Sequence, residues 1–256
     1  MNEALIGYTG FVGGNLARQH GFDAFFNSKN FRDMTGRRFD LVVCAGVSAV
    51  KWKANKDPEN DKAGIQALQD VLATVTAKRF ILISTIDVYP VCENADESYD
   101  CGAIENHAYG ANRLALEKFC REKFPQCLVV RLPGLFGPGL RKNVVFDLLN
   151  DNCLEMINPA CSFQYYDLSG LWKDIEKVHA ASLGLVNLFT EPVKTLDIIE
   201  RFFPGKAVGQ KAGPELHYDL RTRYADIWNR SDGYVAGKDA VMESLAKFIA
   251  SYEGEA

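Results

Sequence analysis

Three glycines, Gly7, Gly10 and Gly13, lead from a short apolar run, "EALI", into an amphipathic stretch, "FVGGNLARQH", whose first turn holds the third. Few architectures use that spacing at that place. One glycine lets the chain turn sharply where φ must be positive. A second lets backbone N–H groups come close to an anionic pyrophosphate, and a third lets helix and strand pack tightly. The helix N-terminus then faces the phosphates with its partial positive charge. A glycine triplet alone says little. Its position after a strand, before a helix and at the head of an alternating pattern is the context that gives it meaning.

The alternation continues. "DAFFNS" reads as a second strand and "FDLVVCAG" as a third, the latter with the continuous apolar run of a strand buried on both faces. Pro58 and the apolar recurrence at Ile65, Leu68, Val71, Leu72 and Val75 predict a helix over 58–77. "RFILISTIDVY" is another buried strand and "YGANRLALEKFCREKF" an amphipathic helix. "CLVVRLPGLFGPG" is a strand running into a glycine and proline turn. Strands alternating with helices imply an α/β fold with a parallel sheet covered on both faces. Beyond residue 140 the pattern loosens. Helices are expected in "NVVFDLLND", "LWKDIEKVHAASLGLV", "KTLDIIERFF" and "KDAVMESLAKFIAS". No repeat, low-complexity tract or linker interrupts the chain. The expected organisation is a single domain over 1–256, with a dinucleotide-binding core at 1–132. Residues 133–256 then form mainly a substrate lobe, with segments returning to the core.

Bulk composition narrows the partners. The 256 residues are ample for a buried core, and 47% hydrophobic with 24% charged residues is ordinary globular usage. A net charge of −4 without like-charge blocks favours no nucleic-acid partner. The seven cysteines are scattered, odd in number and lack a C-x-x-C, which argues against a zinc site and a disulfide framework. Reduced thiols in a cytoplasm are the expectation, with no bound metal. The N-terminal "MNEALIGYTG" has no basic n-region, so no signal peptide is expected. No apolar run reaches the roughly 18 residues that a membrane span needs.

Several stretches resemble one superfamily. "GYTGFVGGNL" looks like a T-G-x-x-G-x-x-G loop, and "DLVVCAG" like a strand leading to an Ala-Gly turn beside an adenosine. "STIDVYP" is similar to S-[ST]-x-x-V-Y-G, with Pro90 in place of glycine. "YGANRLALEKF" resembles Y-G-x-x-K-x-x-x-E, and "RLPGLFGPGL" resembles R-x-x-N-V-Y-G-P-G. "FQYYDLSGLWKDI" and "VNLFTEPVKTLDIIERF" are similar to later landmarks. Together they resemble the extended short-chain dehydrogenase/reductase superfamily, the NAD-dependent epimerases, dehydratases and reductases, over residues 4 to about 200 and in the same order. The resemblance implies a Rossmann-type doubly wound parallel sheet, a smaller, mostly C-terminal substrate lobe, NAD or NADP as cofactor and a sugar nucleotide as substrate. It also implies a homodimer paired through helices 58–77 and 109–124. The cofactor residues it implies are Gly7, Thr9, Gly10, Phe11, Val12, Gly13, Asn27, Ser28, Lys29, Cys44, Ala45, Gly46, Tyr109, Arg113 and Pro133.

The resemblance assigns Thr85 and Tyr109 as the catalytic hydroxyl pair. A tyrosine can exchange the substrate's proton if a nearby cation stabilises its phenolate and brings its pKa down from about 10. Ser84 should point to the other side of the strand. The cation is Arg113, where the superfamily has lysine. Positions 109 and 113 share a helical face. Arginine keeps the charge and can donate to ribose oxygens, but it cannot pass on a proton. Tyr109 is therefore expected to remain activated, while a reaction that relays a proton through lysine is in doubt. A cofactor-binding sensor or scaffold with impaired catalysis is the alternative.

At the end of the second strand Asn27, Ser28 and Lys29 occupy the place of an NAD-selecting carboxylate. Without that carboxylate, and with Lys29 nearby, the stretch leans towards NADP. Asp87 follows Thr85 and Ile86, so the acidic pair of the dehydratases is half present, which ranks dehydration below reduction and epimerisation. Asp87, Arg141, Asn143, Gln164 and Tyr166 are candidates for the substrate. Arg141 and Asn143 stand at a helix start, where a diphosphate would be favoured. His107 is read as a loop histidine. Lys51 and Trp52 are placed on a loop at a strand's C-terminal end, without a role.

Overall fold

In the computed structural model, which describes residues 2–252, the first apolar run forms β1 (Glu3–Ile6), and all four of its residues are buried. On one side it pairs with β2 (Ala24–Phe26), on the other with β3 (Arg38–Cys44), both parallel. β4 (Thr76–Thr85), β5 (Cys127–Leu132) and the strand Leu185–Asn187 extend the sheet beyond β3, again in parallel. The six strands run in the order β2, β1, β3, β4, β5, Leu185–Asn187. The chain winds outward in opposite directions from β1 and β3, so a crevice opens at the C-terminal ends of these two strands. This is a Rossmann-like sheet with flanking helices.

The helices are α1 (Phe11–Gln19), α2 (Lys51–Lys56), α3 (Pro58–Thr74) and α4 (Ala108–Lys123). α3 begins as its sequence dictates: Asp57 accepts the N–H of Asn60, and Pro58 occupies the first turn. Its buried stripe is Ile65, Leu68, Val71 and Leu72, which joins Leu116 and Cys120 of α4 in one core cluster with the sheet. Phe80 of β4 stacks on Phe124 with ring centroids 4.1 Å apart. Deleting a ring so enclosed costs about 3–5 kcal/mol. α1 meets the helix Leu171–Ala180, where the Trp172 N–H donates to Gln19 at 3.0 Å.

The structure corrects three local readings. The helix expected over 58–77 stops at Thr74. Val75 is already extended, and Thr76 pairs with Arg38, because consecutive β-branched residues suit the sheet. "LWKDIEKVHAASLGLV" is not one helix: it ends at Ala180, and Leu185–Asn187 pairs with β5 as the sixth strand. Lys51 and Trp52 are not on a loop but open α2.

The chain divides into two compact units. The first runs through Pro90 and includes Ser98–Leu132 and Ser169–Asn187, which hold the six-stranded sheet. The second consists of Val91–Glu97, Pro133–Leu168 and the chain from Leu188 onward. Within it Gly134–Phe136 pairs in parallel with Tyr165–Asp167, and Val193–Lys194 pairs antiparallel with Ser162–Phe163. Its helices are Val144–Asn150, Thr195–Phe202 and Lys238–Ala250. Gln164 ties this unit together, donating to the carbonyls of Thr190 and Leu220 and accepting the N–H of Leu220. All seven cysteines are free thiols. Among the described residues no helix is long and apolar enough to cross a membrane.

Candidate active site

The glycine turn closes on itself. The Gly10 N–H donates to the Gly7 carbonyl at 2.9 Å, and the Gly7 N–H to Phe26 at 2.7 Å. Gly13 lies so close beneath the turn that a Cβ there would meet the Gly7 oxygen at 2.0 Å. Only glycine permits that approach of helix to strand. Gly10 is the N-cap of α1 without a side-chain cap bond, and the first turn carries no acidic residue. Its leading amides are therefore open to an anion. Thr9 and Gly10 are exposed, and Phe11 and Val12 half-buried, at the same turn.

Beside it a cavity of about 300 Å³ is lined by Ile6, Asn27, Ser28, Phe31, Gly46 and Ile65, among others. That suits a ring flanked by polar groups. Open amides next to such a cavity fit a dinucleotide. The Asn27 side chain donates to the Tyr8 hydroxyl at 3.2 Å and accepts the Lys29 N–H at 2.8 Å, while Ser28 and Lys29 are exposed. Cys44 is a different matter. Its side chain lies wholly inside the core, and burial pushes its thiol up to about 11, so only its backbone remains for a ligand. Ala45 is anchored by its N–H on the Ile6 carbonyl.

Thr85 ends β4 and Tyr109 opens α4. Three contacts fix the start of α4 beside the end of β4. A Cβ on Gly110 would meet the Asp87 carbonyl at 2.1 Å, so glycine lets the helix start press against the turn after Thr85. The Tyr109 N–H donates to Asn55 at 2.9 Å, and His107 caps the helix by accepting the Gly110 N–H at 3.0 Å. The Thr85 hydroxyl bonds the Tyr109 side chain. Ser84 turns the other way, as strand alternation requires, and gives its hydroxyl to Glu117 at 2.5 Å.

Tyr109 is 6% exposed. Burial raises its phenol above the ordinary value, and the opposing pull of Arg113 and Thr85 does not overcome it. Arg113 pulls the phenol down as expected, but burial is the larger influence. The guanidinium stacks over the Tyr109 ring with its central carbon 3.6 Å from the centroid. One terminal nitrogen donates to Asp61 at 2.7 Å and to the Tyr109 carbonyl at 2.9 Å. The other donates to the Ser48 carbonyl at 2.6 Å and to Asp61 at 2.9 Å. No terminal N–H is left for a ribose. Arg113 ties α4, α3 and the β3–α2 connection together. Asp61, its partner, was not among the residues singled out from the sequence, and the structure places it in the first turn of α3.

Asp87 sits in the single 3₁₀ turn after Thr85. Lys51 reaches its carboxylate at 2.6 Å, and His107 Nε2 lies 3.9 Å from the same oxygen. Asn106 holds this turn from the other side through the carbonyls of Asp87 and Val88. Asn55 and Asn106 had no signal in the sequence beyond their nearness to a motif, and Lys51 was placed at a strand's C-terminal end without a role.

The remaining candidates belong to the second unit. Arg141 is exposed. Asn143 caps the helix Val144–Asn150, accepting the Phe146 N–H and donating to the Leu135 carbonyl, so both ends of its amide are engaged. Gln164 is likewise fully engaged and 1% exposed, and Tyr166 is buried. Burial and internal bonds give Asn143 and Gln164 structural work. Pro133 directly follows β5. Among the described residues no cluster of His, Cys, Asp or Glu could hold a metal ion.

Solved structures share this fold over nearly the whole chain. A dTDP-4-dehydrorhamnose reductase from Bacillus anthracis in complex with NADP is 16% identical, with a TM-score of 0.76, covering 98% of this chain and 99% of that one. A UDP-glucuronic acid 4-epimerase from Bacillus cereus in complex with NAD is 16% identical, with a TM-score of 0.72 over 100% and 99%. An NAD-dependent NDP-hexosamine 5,6-dehydratase of tunicamycin biosynthesis is 18% identical, with a TM-score of 0.74 over 99% of each chain. No curated protein matches the sequence. The model of the NAD dependent epimerase/dehydratase family matches residues 25–156, which run from β2 through the Thr85–Tyr109 pair and past β5. A glycine turn open to phosphate, the parallel sheet behind it and that match lead to one conclusion: this chain belongs to the NAD-dependent epimerase/dehydratase family.

Proposed function

We propose that the chain is an NAD(P)-dependent oxidoreductase or epimerase acting on a sugar nucleotide or a related polyol. The observation that carries this reading is the meeting of the Thr85 and Tyr109 hydroxyls at the C-terminal end of β4. A bound nicotinamide supplies a donor or acceptor of hydride. The turn at 7–13 would hold its pyrophosphate, and Asn27, Ser28 and Lys29 its adenosine ribose. Thr85 orients the substrate oxygen. Tyr109, kept protonated by burial, gives that oxygen its proton when a carbonyl is reduced. Taking a proton is harder for so buried a phenol, so the site favours reduction. Lys29, with no carboxylate at 27–29 to repel a 2′-phosphate, favours NADP. Asp87, in the turn after Thr85, is the nearest candidate for a substrate contact, and pairing of two copies through α3 and α4 belongs to the same reading.

Tyr109→Phe tests it. Turnover of dTDP-4-dehydrorhamnose with NADPH, or of UDP-glucose with NAD, is expected to fall at least about 100-fold, with cofactor affinity changed by less than about threefold. Full activity in that variant would sink the mechanism. One observation favours a second reading, a cofactor-binding sensor without catalysis: Arg113 is held by Asp61 and Ser48, and burial keeps the Tyr109 phenol raised against its pull. Wild-type protein that binds NADP and turns over neither substrate would establish it.

A further inference from the structure

Tyr8 stands in the glycine turn between Gly7 and Thr9 and is half-buried. The Gly7 N–H bonds Phe26, the last residue of β2, at 2.7 Å, so the turn lies against the end of that strand. The Tyr8 ring packs edge to face on Phe25, with centroids 5.4 Å apart, which limits its swing. Its hydroxyl meets Asn27, 19 positions along the chain.

The direction of each bond follows from its neighbours. The Lys29 N–H donates to Asn27 Oδ1 at 2.8 Å, so that end of the amide is the acceptor. Nδ2 therefore faces Tyr8 and donates to the hydroxyl oxygen at 3.2 Å. The Tyr8 O–H proton is left over, and nothing among the described residues accepts it. The Ser28 hydroxyl and the Lys29 ammonium also have no acceptor among the described residues. Three donors thus stand at the end of β2, where Asn27, Ser28 and Phe31 line the cavity. Arg32 adds a second cation, its guanidinium over the Phe31 ring at 5.1 Å from the centroid. The carboxylates on the cavity wall are committed: Asp57 caps α3, and Asp61 holds Arg113. Donors and cations without a counter-charge suit an anion with several acceptor oxygens. A ribose hydroxyl offers one oxygen and no charge. A phosphate monoester offers three oxygens and nearly two negative charges.

We propose that Tyr8 is a specificity-determining residue of the cofactor site: its hydroxyl, oriented by Asn27, donates to the 2′-phosphate of NADP beside Ser28 and Lys29. The proposal rests on the NAD(P) reading above and names the group that this end of the site takes. Asn27 acts through Tyr8 and is a positioning residue.

The experiment is calorimetric titration of the full chain with NADP, NAD, adenosine 2′,5′-bisphosphate and 5′-AMP. Tyr8→Phe keeps the ring on Phe25 and removes the hydroxyl. The wild type is expected to bind NADP more tightly than NAD, and the bisphosphate more tightly than 5′-AMP. In Tyr8→Phe the NADP affinity should fall about tenfold, the loss of one hydrogen bond to a charged group, with NAD affinity changed less than about twofold. The bisphosphate should lose the same factor as NADP, which places the loss at the adenosine end. Asn27→Ala leaves the hydroxyl unoriented, so adding Tyr8→Phe to it should weaken NADP by less than about threefold. A tyrosine that only shapes the glycine turn weakens both cofactors alike. Equal losses, an unchanged NADP affinity, full additivity of the two substitutions, or tighter binding of NAD by the wild type overturns the assignment of Tyr8 and leaves the cofactor reading standing. A wild type that binds neither NADP nor NAD overturns that reading and the assignment with it.

Discussion

Asp61 explains what the arginine at position 113 does. The pair is buried, with side chains 9% and 5% exposed. Burial opposes the Asp61 charge, yet bonds from Arg113 and Asn112 prevail and hold its carboxyl below the usual range. A depressed carboxyl stabilises the fold above its unfolded value, near ~3.9, and that contribution is lost as pH falls through the folded value. Asp61→Asn removes one charge and leaves the other buried. It should lower the free energy of urea unfolding by about 3–5 kcal/mol at neutral pH. It should also remove the part of the acid destabilisation that comes from this carboxyl. An unchanged unfolding midpoint would mean the pair is not buried as described. The Tyr109–Arg113 spacing was legible because four residues along a helix define a face. Asp61 was not, because it lies 52 positions from Arg113.

At the scale of elements, the first turn was the most legible part of the chain. Its glycines act over seven residues, and the structure uses them at that range. Gly13→Ala would press a methyl into the Gly7 carbonyl, so the turn must shift. Calorimetric titration with NADP should show affinity reduced more than about tenfold, with about 1–3 kcal/mol of stability lost to overpacking. Retained affinity would place the cofactor elsewhere. The strand Leu185–Asn187 was illegible for the opposite reason. Three residues carry no period, and only pairing with β5 makes them a strand. The start of β4 at Thr76 was hidden likewise, since the apolar stripe of α3 runs straight into Val75.

For the whole molecule, a bound dinucleotide should raise stability by mass action, by about 2.7 kcal/mol at a hundredfold excess over Kd. In a chain of 256 residues that is a rise in Tm of about 5–10 °C. NADP is expected to give the larger rise of the two cofactors, because Lys29 is exposed beside the cavity and meets no carboxylate at 27–29. Lys29→Glu should reverse the order. Equal shifts for NAD and NADP in the wild type would assign Lys29 to solvent.

By itself the sequence determined the parallel α/β fold and the glycine turn. Both rest on spacing within one element or on the order of neighbouring elements, and such physics is local. The Thr85–Tyr109 pair came only from the resemblance of its motifs to a family. Only the tertiary structure decided what Arg113 bonds, that burial overrules it at Tyr109, and that Lys51, Asp87 and His107 come together. Charge pairing and desolvation depend on which distant residues share a site, and nothing in the spacing along the chain encodes that.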